Sequence, residues 1–134
     1  MARQIFVNLP VRDLKRSVAF FTDLGYRFDP KFTDENATCM IVDDNIFVML
    51  LVETFRTFTK KAVADATKST EVLVCLSCDS RAEVDALVKK AVAAGGTTPS
   101  PAQDHGFMYQ HGYQDLDGHL WELAYMEPNA QPHA

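Results

Sequence analysis

Apolar positions along this chain switch between a period of two and a period near 3.6, and the same sequence of switches occurs twice. Ile5 to Leu9 (IFVNL) alternates as a short strand and is closed by Pro10, which cannot donate to a ladder from its centre. Asp13 then offers a helix cap, Val18, Phe20, Phe21 and Leu24 fall on one helical face, and Gly25 supplies the stop. Tyr26 to Phe28, Ala37 to Val42 and Ile46 to Val52 read as three further strands, with Asp43-Asp44-Asn45 turning between the last two. From Glu71 the order returns. A strand runs to Cys78, and a helix covers Arg81 to Ala94 with Val84, Leu87, Val88 and Ala91 as its buried stripe, ended by Gly95-Gly96. Three strands follow, opening at Thr97-Thr98 and running over Phe107 to Tyr113 and His119 to Tyr125.

The pattern therefore predicts an α+β chain of two βαβββ modules, about 1–52 and 70–126, within a single domain. Residues 53–69 read as a short helix and linker, and 127–134 as a polar, Pro-rich tail holding His133. Two copies of so small a unit can close their sheets against each other and leave a cavity.

The last strand carries the most informative stretch, Gln114 to Tyr125 (QDLDGHLWELAY). Asp117-Gly118 is a strong turn signal, because Gly supplies positive φ and Asp hydrogen-bonds its own backbone. Beyond it Leu120, Glu122 and Ala124 share one face, and Trp121, Leu123 and Tyr125 the other. Glu122 is out of place on a strand this apolar. It is paired, coordinating, facing a wet cavity, or in solvent on an edge strand, since burying it bare costs several kcal/mol. His119, beside the turn, is expected in solvent.

Composition narrows the function classes. No run approaches the roughly 18 apolar residues of a membrane span, and a net charge of −5 without a basic cluster argues against nucleic acid. The first residues, MARQIFVNLP, lack the features of a signal peptide, so a cytoplasmic protein with reduced cysteines is expected. Cys39, Cys75 and Cys78 are odd in number, which disfavours a disulfide framework; Cys75 and Cys78 lie in VLVCLSC, read as a buried strand with Cys75 in the core. The expected partner is a small molecule.

Taken together, LPVRDLKRSVAFFTDLGY, AVAAGG and DLDGHLWEL resemble the vicinal oxygen chelate superfamily, that is glyoxalase I, bleomycin-resistance proteins and extradiol dioxygenases. The resemblance spans nearly the whole chain. It implies an open barrel of paired βαβββ modules, a homodimer, and in the enzymes a divalent metal held by one side chain early in each first strand and one in each last strand. Carried onto this chain, those four positions are Phe6, Met49, Leu73 and Glu122, of which only Glu122 is a ligand for a hard ion. The resemblance thus implies a small organic ligand held by Phe6, Asn8, Phe47, Met49, Cys75, Met108 (or its neighbour Tyr109), His111 and Glu122, with no metal or other cofactor. The alternative is a lyase, isomerase or dioxygenase of the glyoxalase kind. In it Glu122 is the catalytic residue and a divalent metal sits in a displaced set with Asn8, Cys75 and His105 or His111.

Overall fold

The computed structural model of the chain describes residues 3–132, so His133 lies outside the described residues. They form two compact units, Met1–Asp65 and Ala66–Ala134, each with its own sheet and helix. Both sheets are open, four-stranded and mixed, and the chain is α+β.

The first unit comprises β1 (Ile5–Pro10), α1 (Leu14–Asp23), β2 (Arg27–Asp29), β3 (Ala37–Asp43) and β4 (Ile46–Leu51). Asp13 caps α1 by accepting from the Arg16 N–H at 3.2 Å, and Gly25 ends it at φ +105°. The strand order is β1-β4-β3-β2, with β1 parallel to β4 and the other pairs antiparallel. Leu9, Met40, Val48 and Leu50 are buried on one sheet face, together with Phe20, Phe21 and Leu24 from the helix and its cap. Each such side chain contributes about 1.5–3 kcal/mol. After β4 the chain makes a short 3-10 helix over Glu53–Phe58, where the sequence reading placed a short helix within 53–69.

The second unit comprises β5 (Leu73–Ser77), α2 (Arg81–Ala93), β6 (Gln103–Asp104), β7 (Met108–Gln114) and β8 (Leu120–Met126), in the sheet order β5-β8-β7-β6. Ser80 caps α2 by accepting from the Glu83 N–H at 3.0 Å. Val84, Val88 and Ala91 are buried with Tyr113, Trp121 and Leu123. Arg81, in the first turn of α2, ties in the β6–β7 connection: it pairs with Asp104 at 3.0 Å, donates to the Gly106 carbonyl at 3.0 Å and lies over the Tyr109 ring.

Four sequence expectations need correction. The strand expected at Thr97-Thr98 is reduced to a single bridge between Thr97 and Gln114, because Pro99 and Pro101 lack the N–H that would continue it; β6 forms only at Gln103–Asp104. VLVCLSC is not a buried strand. β5 is an edge strand, so Leu73 is 51 % exposed, Cys75 is exposed too, and Cys78, beyond its end, is the buried cysteine. β8, by contrast, lies between β5 and β7, which rules out the edge-strand reading of Glu122. His119 is half-buried rather than in solvent.

Among the described residues no helix is long and apolar enough to cross a membrane.

Candidate functional site

The β7–β8 turn positions the site, and one residue organises that turn. Asp115 is buried, with only 6 % of its surface exposed. One carboxylate oxygen accepts from the backbone N–H groups of Asp117 at 2.9 Å and His119 at 3.0 Å. The other accepts from the indole N–H of Trp121 at 2.9 Å. Burial pushes the Asp115 carboxyl up from its ordinary value, opposed by the neighbouring His119 and by these hydrogen bonds. Gly118 sits at φ +93° and donates its N–H to the Asp115 carbonyl at 3.2 Å. Sequence reasoning credited Asp117-Gly118 and overlooked Asp115. The signals were present: an Asp placed to accept from the turn's own backbone, and a lone Trp whose N–H needs an acceptor when buried.

Past the turn, strand register sets which side chains share a face. Glu122 lies opposite Gly112 on β7 and Cys75 on β5; one rung along, Leu120 lies opposite Leu73 and Gln114. Glu122, Gly112, Cys75, Leu73 and Leu120 therefore share a face, as does Gln110. Gly112 is required for close approach: a Cβ there would stand 2.7 Å from the Trp121 carbonyl oxygen and would crowd the space beside Glu122. The loop through Pro99, Ser100 and Pro101 flanks this face. Together they enclose a cleft of about 270 Å³, with Leu73, Leu120, Glu122, Gly112, Gln110 and Gln103 among its walls.

Polar groups in the cleft are few. The Gln110 side-chain amide donates to the Gln103 side-chain carbonyl at 3.1 Å. His111 Nε2 lies 3.1 Å from the Ser100 carbonyl and 3.0 Å from Thr98 Oγ1, while Thr98 donates to the Gly112 carbonyl at 2.8 Å. A carbonyl only accepts, so Nε2 carries the proton; a neutral ring then keeps its lone pair on Nδ1. Among the described residues no hydrogen-bond or ion-pair partner meets the half-buried Glu122 carboxylate. Although Cys75 is exposed, partial desolvation by its strand neighbours, and secondarily the charge of Glu122, raise its thiol above the ordinary pKa.

The other residues singled out from sequence fall as follows. On the first sheet Phe6, Asn8, Phe47 and Met49 share a face, with Phe6 stacked on Phe47 at 5.0 Å between centroids and Asn8 opposite Met49. Asn8 is exposed. On the second sheet Cys75, Met108 and Glu122 share a face, Met108 standing opposite Met126 at the far end of the hairpin. His111 is opposite Leu123, so its Cβ leaves the other face of the sheet, and only its position at the β7 margin brings it to the cleft. Tyr109 also points away from Glu122 and donates its hydroxyl to Asp85 on α2 at 2.6 Å. His105 is exposed in the β6–β7 connection.

The four positions that the resemblance singles out do not supply the donors of a divalent-metal site. Phe6 and Leu73 offer no donor, Met49 offers a thioether between Asn8 and Cys39, and Glu122 has a thiol and a glycine as rung neighbours. A hard divalent ion takes several oxygen or nitrogen ligands, and among the described residues no three His, Cys, Asp or Glu come together.

Residues 3–43 match the family described as bleomycin resistance protein-like, N-terminal. No curated protein is significantly similar to the chain. Among solved structures, a hypothetical protein of S. aureus is 26% identical, with 93% of this chain and 95% of that one covered and a TM-score of 0.78. A glyoxalase/bleomycin resistance protein/dioxygenase family enzyme of Burkholderia phytofirmans is 17% identical over 94% of this chain and 100% of its own, with a TM-score of 0.76. The fosfomycin resistance protein FosX of Listeria monocytogenes is 16% identical over 96% of this chain and 97% of its own, with a TM-score of 0.69. The chain thus has the fold of the glyoxalase/bleomycin resistance protein/dioxygenase structures, and its residues 3–43 match the bleomycin resistance protein-like N-terminal family.

Proposed function

We propose that this protein binds a small organic molecule against the Glu122 face of its second sheet and does so without the metal of its enzyme relatives. The carrying observation is the cleft itself: apolar side chains from β5 and β8, room left by Gly112, and a few polar groups capable of orienting a ligand. We further propose a cytoplasmic homodimer, because β1 and β5 are edge strands that carry exposed Phe6 and Leu73, and a two-fold partner would cover them.

Melting curves of wild type and Glu122→Gln, each with and without a chelator, test the metal-free reading. Both proteins are expected to be insensitive to the chelator. A chelator-sensitive wild type beside an insensitive variant, with stoichiometric metal in the purified protein, overturns that reading in favour of a metal-dependent enzyme. Backbone amide shifts at Gly112, Leu120 and Glu122 report ligand binding, and light scattering reports the dimer.

A further inference from the structure

We infer that the ligand of this cleft is a cation: an organic ammonium or amidinium with an apolar body, its charge set against Glu122. The inference rests on the binding role proposed above and adds the chemical class of the ligand.

Three observations carry it. First, Glu122 is a half-buried carboxylate with no hydrogen-bond or ion-pair partner among the described residues, on a central strand and sharing its face with Leu120 and Leu73. A carboxylate so placed has lost part of its hydration with nothing supplied in return, and a ligand cation restores it. Second, the cleft wall holds His111 but no Lys, no Arg and no second acid, so Glu122 is its single carboxylate. Third, the other polar groups suit a donor-rich ligand. Gln110 spends its amide N–H on Gln103 and keeps its carbonyl as an acceptor, and the Ser100 carbonyl lies at the same margin. Gly112, directly opposite Glu122, leaves the carboxylate open from the side where a side chain would otherwise stand.

An anionic ligand is disfavoured by the same arrangement, and a neutral one gains nothing from Glu122 beyond a hydrogen bond. The Coulombic gain is moderated because Glu122 keeps some contact with water, so the expected preference for a cation over its neutral counterpart is about tenfold.

The experiment uses three probes of one size and shape: benzylammonium, benzyl alcohol and benzoate, titrated into the full chain and followed by backbone amide shifts. The titrations are run at about pH 8, where the amine carries its charge. Benzylammonium is expected to bind about tenfold more tightly than the alcohol and benzoate least, with shifts at Gly112, Leu120 and Glu122. In Glu122→Gln the three affinities converge while that for the alcohol is kept, which also shows that the variant is folded. Equal affinity for the cation and the alcohol in wild type, or a preference that survives in Glu122→Gln, overturns the inference and leaves the binding role standing. Absence of shifts in the cleft with any of the probes counts against the binding role itself.

Discussion

Replacing Gly118 with Ala should destabilise the second unit far more than the same change at Gly95, although both glycines have positive φ. Gly118 is at φ +93° and Gly95 at φ +108°, so each alanine carries backbone strain of about 1–3 kcal/mol, and the entropy gained from restricting the unfolded chain is common to both. What differs is the space. At Gly95 a Cβ would meet the Leu116 Cδ2 at 3.3 Å, the end of a side chain that can give by a few tenths of an ångström. At Gly118 it would meet the Ala66 carbonyl carbon and oxygen at 2.7 Å and the Thr67 nitrogen at 2.8 Å, all backbone atoms. Overpacking of this kind costs about 1–3 kcal/mol, which adds to the strain. With a urea slope of about 2 kcal/mol per molar, the Gly118→Ala midpoint should fall below that of Gly95→Ala by about 0.5–1.5 M. Trp121 lies in the same unit as both glycines, so its fluorescence follows both unfolding transitions on one scale. Coincident midpoints would refute the reasoning, because they would mean that the 66–67 backbone is not seated against the turn.

Two further outcomes follow from the same unit. Asp115→Asn should cost about 1–3 kcal/mol, because the amide has one acceptor oxygen where the carboxylate serves three N–H donors with two, leaving its NH₂ against a donor. Since burial raises the Asp115 carboxyl, its contribution to stability is full below the ordinary Asp value of about 3.9 and is lost as pH rises through the raised one. The gap between wild type and Asp115→Asn should therefore narrow from about pH 4 towards neutrality in denaturation series; a widening gap would show that the three hydrogen bonds outweigh burial. Ser80→Ala removes the acceptor for the Glu83 N–H at 3.0 Å and should lower unfolding free energy by about 1 kcal/mol, an unchanged urea midpoint being the contrary result.

Local signals in the sequence were sufficient for the parts of the fold that local physics decides. Asp13 as a cap, Gly25 and Gly95 as positive-φ helix stops, and Gly118 in the hairpin turn all depend on residues within a few positions of each other. The misread parts depend on distant pairing. VLVCLS has the continuous apolar run of a strand buried on both faces, and nothing within it shows that β5 has a neighbour on one side alone. The Pro99 and Pro101 positions did carry the information that the Thr97-Thr98 strand would fail, and were passed over. In the site, Glu122 and its counterpart Met49 were legible through the repeat. That His111 leaves the sheet on the face opposite Glu122 was not legible, because MYQHGYQ alternates without a clear apolar face and its register is fixed only by pairing with β8. Asp115 was hidden by the more familiar Asp117-Gly118 beside it.

The register of the two sheets gives the comparison that bears most on function. In the first, Phe6 pairs with Phe47 and Asn8 with Met49; at the same two rungs of the second, Leu73 pairs with Leu120 and Cys75 with Glu122. The repeat has thus kept the scaffold and divided the chemistry: one copy presents an aromatic stack with a thioether, the other an aliphatic pair with a carboxylate. A metal centre needs hard donors at several of these positions together, and restoring one would leave the ion short of ligands. A binding face has no such requirement. A lone carboxylate on an apolar face discriminates between ligands by charge, and discrimination by one charge needs one residue. Glu122 is therefore expected to determine which molecule is held, while Gly112 and the rigid hairpin closed by Asp115 determine that there is space to hold it.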